Sequence, residues 1–424
     1  MIFIKKIAIF SIIVVCLIIT SSIVYTFYFL KEDSNVDTSK LIPLADDTNA
    51  TAESVSKLVS SLNDFSFDFY RKIANVEEGN IFFSPYSIFV ALSMAYEGAH
   101  GNTATQMYNI LNFFQNDSET QGSFGKIYNL LNQKQEGYRI STANAFWIQQ
   151  NYPFLTEYIN LLQNYYMAEA NELDFSKNVE AARTINTWIE NQTNGKIKDM
   201  IDPSALSEFT RLVLTNAIYF KGLWENPFDS KYTTKIDFKV DSSKTVKVDM
   251  MSLSNCIFNY TETDELQILR MPYEGNDLSM LVILPKENNI SIADSSLNTL
   301  NIEDWNSRFD EIKINIDIPK FKFKTEYNLN NVLTKMGMVD AFSEIDADFS
   351  GMDGKKSLFI SDILHKAFVE VNEKGTEAAA ATAVILTTSV VTNTFNADHP
   401  FVFLIQHEST GAILFMGKIM SPVY

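Results

Sequence analysis

Four histidines, His100, His365, His399 and His407, carry most of the acid–base chemistry open to this chain. None stands in a spacing that makes a site by itself. The run "HESTG" from His407 lacks the second histidine of a zinc-protease helix, so a metal would have no partner ligand there. "GAILFMGK", Gly411 to Lys418, has one residue too many for a phosphate-binding loop and no Ser/Thr after its lysine, and it reads as a core strand. No G-x-S-x-G and no C-x-x-C occurs. A Ser/His/Asp triad assembles in space and leaves no spacing signature, and nothing in the sequence singles one out. His365, between the apolar runs "SDIL" and "KAFVEV", reads as a buried histidine satisfied by hydrogen bonds rather than as a base. Neither a metal nor a cofactor is expected.

Charge and cysteine content narrow the classes further. Lys+Arg number 34 against 52 Asp+Glu, a net charge of -18, and no segment carries a basic stripe, so nucleic acid is not an expected partner. The two cysteines, Cys16 and Cys256, do not suggest a structural disulfide, and the fold must rest on its core. Five N-x-[ST] triplets begin at Asn49, Asn116, Asn191, Asn259 and Asn289; their use as sugar acceptors depends on the host.

The N-terminus has its own organisation. After Lys5 and Lys6, residues 7–30 contain no charge. At 1.5 Å per residue such a helix is about 36 Å long, enough for a bilayer core. The flanking charges predict an anchor with its N-terminus inside, and segment 1–30 is expected to be retained. A cleaved signal peptide is the alternative, although no A-x-A-like site follows. Residues 31–54 read as a flexible acidic spacer and residues 55–424 as one domain. Either way the domain is exported, to the extracellular face of the membrane or beyond.

Within the domain, helices come first. "SVSKLVSSLNDFSFDFYRKIA" and "SIFVALSMAYEGA" have helical periodicity, and "EAARTINTWIENQTNGKI" is a helix stopped at Asn194-Gly195. Strands follow: "RLVLTNAIYF", "LQILRMPY", "LSMLVILP", "KINIDIPKFKFKTEY", "KAFVEVN" and "PFVFLIQH". Partial segregation of helices from strands predicts an α+β fold.

One stretch fits neither class. "EKGTEAAAATAVILTTSVV", Glu373 to Val391, begins with strong helix formers and ends with β-branched strand formers. Drawn out as a strand from Gly375, it would put Thr376, Ala378, Ala380, Thr382, Val384, Leu386 and Thr388 on one face. All are uncharged, the first four are small, and no proline interrupts the run, so the segment is competent to enter a sheet.

Read with its neighbours, this stretch carries a resemblance. "FVEVNEKGTEAAAATAV" and "HPFVFLIQHESTGAILFMGKIMSP" resemble the reactive-loop hinge and C-terminal signature of the serpins. Three more blocks agree in order: Asn80 to Met107, Ile185 to Ile201 and Leu214 to Asp229. The resemblance spans about Ser54 to Tyr424. It implies a serpin fold, with helices around three β-sheets, a large central sheet and an exposed reactive-centre loop.

It also implies an inhibitor rather than an enzyme. A monomer with no catalytic residues of its own would act as a suicide substrate, in a covalent acyl complex with its target protease. The hinge would be Glu373, Gly375, Thr376, Glu377, Ala378, Ala379, Ala380, Ala381 and Thr382. Family spacing puts the scissile bond at Ser389-Val390. Ser84, Ser87, Asn216 and His365 match a polar cluster under the central sheet, and Trp224 and Lys320 match its top, where Lys320 would pair with Glu373. No Lys or Arg lies between Gly375 and Asp398, which disfavours trypsin-like targets and fits elastase-like or subtilisin-like ones. A non-inhibitory binding or carrier serpin, and an inhibitor of cysteine proteases, are the alternatives.

Overall fold

The computed structural model describes residues 44–114, 116–132, 137–376 and 393–423. Helix α1 (Ala52–Ala74) starts where Thr51 and Ser54 cap each other, each side-chain oxygen accepting from the other's backbone N–H. Leu58, Leu62, Phe65, Phe69 and Ile73 recur at helical spacing and are buried, with Phe65 and Phe69 stacked at 5.7 Å. A short strand, β1 (Ile81–Phe83), leads into α2 (Pro85–Tyr96), which is capped by Ser84 and opened by Pro85. Side chains around the whole circumference of α2 are buried, the pattern of a helix enclosed in a core.

Next come α3 (Gly101–Ile110), α4 (Asp117–Leu131), β2 (Tyr138–Gln149), α5 (Thr156–Tyr166), β3 (Glu169–Leu173) and α6 (Asn178–Gln192). Just past α6 the chain turns at Asn194 and Gly195, whose φ values are 52° and 74°. Strands then dominate: β4 (Leu212–Leu223), β5 (Thr234–Lys239), β6 (Thr245–Glu262), β7 (Leu266–Pro272) and β8 (Leu278–Pro285). Helices α7 (Ile290–Ser296) and α8 (Thr299–Ser307) precede β9 (Asp310–Pro319) and β10 (Phe321–Asn328). Helices α9 (Asn330–Met336) and α10 (Ser350–Asp353) lead to β11 (Leu364–Asn372) and a two-residue strand, β12 (Gly375–Thr376). The chain ends in β13 (Thr394–Asn396), β14 (Phe401–His407) and β15 (Ile413–Ile419).

One sheet has the order β10-β11-β12-β4-β2-β3; the other runs β1-β15-β14-β8-β7-β6-β9-β13, with β5 added on β6. The expected three sheets are present as two hydrogen-bonded ladders, because the 18-residue β6 serves two groups of strands. Its register against β9 shifts between Leu253 and Cys256, where Asn255 takes a φ of 58°. The single run expected over "KINIDIPKFKFKTEY" divides after Pro319, β9 joining one ladder and β10 the other.

Between the ladders, α2 packs against β4 on one side and β15 on the other. The large core lies there, while a smaller one, with Trp147, Phe175, Ile185 and Ile189, sits beneath α6 on the other face of the six-stranded sheet. Inner-face residues therefore alternate along β11: His365, Ala367, Val369 and Val371 are buried.

One compact unit covers Leu44–Tyr424. Residues 45–50, read from sequence as spacer, lie along α4 instead. Ala45 exchanges two backbone bonds with the Asn129 amide, at 2.8 and 3.0 Å. Gly125 permits the contact: a Cβ there would lie 2.2 Å from the Asp46 carbonyl oxygen. Composition could not show this, because the segment is held through its backbone. Among the described residues no helix is long and apolar enough to cross a membrane; residues 7–30, the expected anchor, lie outside them.

Candidate functional site

The two-residue strand β12 stands between β4 and β11. Thr376 pairs with Gly222 and Val371, and Gly375 with Leu223 and Asn372, antiparallel on both sides. Strands β4 and β11 are thus parallel to each other and, at this level, two strand spacings apart, about 9.6 Å. Among the described residues they share no ladder of their own. The gap is one that an antiparallel strand fits.

Gly375 is required where it is. Its φ is 152°, and a Cβ would lie 1.9 Å from the Gly222 carbonyl oxygen. Thr376 follows with its side chain on the inner face, buried, its Oγ1 2.7 Å from the Tyr273 hydroxyl. Tyr273 is fully buried and stacks on Trp224, with ring centres 4.6 Å apart and planes at 13°.

The turn before β12 is held from several directions. Trp224 donates from its indole N–H to the Asn372 carbonyl at 3.0 Å and from its backbone to the Lys374 carbonyl at 2.8 Å. Phe228 N–H donates to the Glu373 carbonyl at 2.7 Å. The Glu373 carboxylate accepts from Thr233 at 2.9 Å and pairs with Lys320 at 3.1 Å, as the resemblance implied. Burial works against this carboxylate, but its backbone, Thr233 and Lys320 outweigh it and hold its pKa below the usual glutamate range.

Lower down, β11 is tied to the start of α2. His365 Nε2 accepts from the Ser84 N–H at 3.1 Å; Ser84 Oγ donates to the Leu414 carbonyl at 2.7 Å and accepts from the Ser87 N–H at 3.1 Å. Burial pushes the His365 pKa down to about 4, so the ring is neutral at pH 7, with its proton on Nδ1. Ile218, Phe220, His365, Ala367 and Thr376 line one slot that runs from the wedge to this cluster. Asn216 is placed on β4 opposite Asn144. Below His365 a cavity of about 670 Å³ continues, lined by β4 residues Leu212 to Thr215 and by Ile88, Leu92 and Met352.

The sequence-derived positions thus divide into two groups. Glu373, Gly375, Thr376, Trp224 and Lys320 meet at the top, and Ser84, Ser87 and His365 meet below. Glu377, Ala378, Ala379, Ala380, Ala381 and Thr382, and the bond Ser389-Val390, lie outside the described residues. Tyr273, Gly222 and Thr233 are functional neighbours that sequence reasoning missed. Tyr273 is 103 positions from Thr376, and no local pattern announces such a contact.

The other histidines assemble no catalytic group. His399 bonds Asp398 through Nδ1 at 2.8 Å, but its Nε2 faces the Pro285 carbonyl at 2.7 Å rather than a nucleophile. His407 Nδ1 meets Thr410 and His100 Nδ1 meets Ser350. Among the described residues no metal-binding cluster occurs.

A family profile described as Serpin (serine protease inhibitor) matches residues 60–422. The chain belongs to the serpin family. This serpin is 44% identical over 374 residues to an uncharacterized serpin-like protein of Thermococcus kodakarensis, covering 86% of each chain. It is 38% identical over 379 residues to the leukocyte elastase inhibitor of Xenopus tropicalis, covering 87% of this chain and 100% of that one. Among solved structures it is similar to human thyroxine-binding globulin complexed with thyroxine, with a TM-score of 0.79, 33% identity, and coverage of 88% of this serpin and 100% of that chain. The bare negative reading, that the chain is no enzyme, is replaced by the family's positive description as inhibitors of serine proteases.

Proposed function

We propose that this serpin inhibits a serine protease as a suicide substrate. The protease's hydroxyl attacks the Ser389 carbonyl carbon; the Ser389–Val390 amide breaks, the Val390 nitrogen leaves as an amine with the proton, and an ester joins Ser389 to the enzyme. The freed segment enters the sheet as a strand, carrying the tethered protease with it. Its oxyanion hole is distorted, and the ester is no longer hydrolysed.

The observation that carries this reading is the Gly375–Thr376 wedge, already antiparallel to β4 and β11. Continued downward in the same register, Ala378 would pair with Phe220 and Val369, and Thr382 with Asn216 and His365. Small residues would then meet large ones on the inner face. A dozen ladder bonds at ~0.5–1.5 kcal/mol each amount to about 10 kcal/mol, comparable to the stability of an ordinary domain. Insertion therefore has a large thermodynamic driving force. The lack of Lys or Arg between Gly375 and Asp398 favours an elastase-like or subtilisin-like target, in keeping with the name of the Xenopus relative.

The test is to incubate the full-length chain with elastase-like, subtilisin-like and trypsin-like proteases. A detergent-resistant complex with one of the first two, and a rise in thermal stability after loop cleavage, support the reading. Cleavage with neither would overturn it in favour of a binding or carrier serpin. The same proposal holds the domain outside the cell on residues 7–30. Recovery in carbonate-washed membranes supports the anchor, and recovery wholly in the soluble fraction means that the segment is cleaved.

A further inference from the structure

The cavity below His365 differs in chemistry from one end to the other. It holds about 670 Å³, within the ~300–1,000 Å³ of small-molecule sites. Its walls are apolar: Ile88 and Leu92 of α2, Leu212 and Leu214 of β4, and Phe349 and Met352 at α10. From Arg211 to Thr215 it follows β4 for about 13 Å. The inner end carries the neutral ring of His365. At the outer end Arg211, Tyr152 and Ser357 meet. Phe209 and Phe359, 76% and 41% exposed, carry the apolar lining out to the surface.

Arg211 is the cation of this lining. Its Nη1 donates to the carbonyls of Glu208 and Thr210, at 2.7 and 3.1 Å, and its guanidinium lies 5.5 Å from the Tyr152 ring. Among the described residues no carboxylate pairs with it. Asp353, the acid of the same corner, accepts from Tyr152 at 2.6 Å and Ser357 at 3.0 Å. Glu344 and Asp362, the carboxylates on the lining, come from the chain between α9 and β11; both are exposed, and Asp362 accepts from the Asn328 amide. A half-buried guanidinium, held in place by two carbonyls and a ring, is ready to receive a carboxylate.

We propose that this cavity binds a medium-chain fatty acid, its carboxylate on Arg211 and its alkyl chain along β4 toward His365, and that the bound acid obstructs strand entry. The obstruction rests on the insertion reading above; the binding does not. Carried down in the register of the wedge, Val384 and Leu386 would come beside Leu214 and Leu212, where the alkyl chain lies. One volume cannot hold both. A ligand that binds the uncleaved form and not the inserted one stabilises the first and delays the second.

The experiment uses the full-length chain, labelled at its methionine methyl groups. It is titrated with dodecanoate, dodecanol and dodecyltrimethylammonium below their micelle concentrations. Dodecanoate should shift the Met352 methyl resonance saturably and raise the melting temperature of the uncleaved chain. The alcohol and the cation should bind at least about tenfold more weakly. Arg211→Gln should weaken dodecanoate about tenfold and leave the alcohol as it was. Ala91→Phe, which puts a ring into the cavity, should abolish the Met352 shift. Saturating dodecanoate should slow stabilisation after loop cleavage at least about tenfold in wild type, and far less in Arg211→Gln at the same concentration. An unmoved Met352 methyl, or equal affinities for the three amphiphiles, would overturn the site. Binding without any delay would overturn the obstruction. Absence of stabilisation after cleavage without ligand would overturn the insertion reading and the obstruction with it, while the Met352 shift still decides the site.

Discussion

The Thr376 hydroxyl and the Tyr273 hydroxyl lie 2.7 Å apart inside the protein, one on the wedge strand and the other just past β7. Each is buried, and the bond satisfies both. If Thr376 withdrew, the phenol would lose this partner in an apolar setting, at a cost of about 1–3 kcal/mol. The first step of strand entry is thereby held in place. Tyr273→Phe and Thr376→Val should each destabilise the chain by about 1–2 kcal/mol in urea, and the double variant by clearly less than the sum. Strict additivity would show that the two hydroxyls are energetically independent.

Thr376→Arg should turn inhibitor into substrate. A guanidinium on the inner face would have to enter the core beside Val371 and Tyr273, both fully buried, with no acid to meet it. The expected result is full cleavage of the loop by the target protease with no covalent complex. Retained inhibition would sink this assignment of the hinge.

Gly375→Ala places a methyl 1.9 Å from the Gly222 carbonyl oxygen, so β12 must leave its place or push β4 aside. The melting temperature should fall, and amide exchange should quicken at Gly222, the β4 ladder partner of Thr376. Unchanged exchange would mean that the wedge is not formed in solution.

Lys320→Met removes the ion pair with Glu373. Both side chains are mostly shielded, and allowing for screening the loss should be about 1 kcal/mol. Since the Glu373 pKa is depressed in the fold, this contribution is present above pH 4.5 and lost as pH falls through the folded value. Denaturation curves of the two proteins should therefore converge in acid, once the pH has fallen below the folded value.

His365 also loses stability in acid, but the cause is burial of a neutral ring rather than an ion pair. Its pKa falls from 6.5 to about 4 on folding, so the unfolded chain binds the proton more readily. Stability is unaffected above pH 6.5 and declines between pH 6.5 and 4, by roughly 3 kcal/mol in all. His365→Asn should flatten that part of the stability–pH curve. An unchanged slope would assign the titration to other groups.

Local chemistry made much of this fold legible. The turn at Asn194-Gly195 and the alternation along "KAFVEVN" depend on neighbours a few residues away, and sequence shows those directly. The junction of Glu373 with Lys320 was legible only through family resemblance, because 53 positions separate the two. The division at Pro319, the seat of residues 45–50 on α4, and Tyr273 beneath Thr376 were not legible at all.

The sequence by itself determined that a small, uncharged, proline-free strand former follows Gly375, and that the chain offers no ready catalytic or metal motif. Both statements concern residue types in order, which periodicity and sterics judge without coordinates. Only the tertiary structure decided that β4 and β11 are parallel and two strand spacings apart at Thr376, and that His365 is neutral. Those facts depend on which distant backbones share a ladder and which side chains lose water together. Long-range packing sets both, and no local pattern records it.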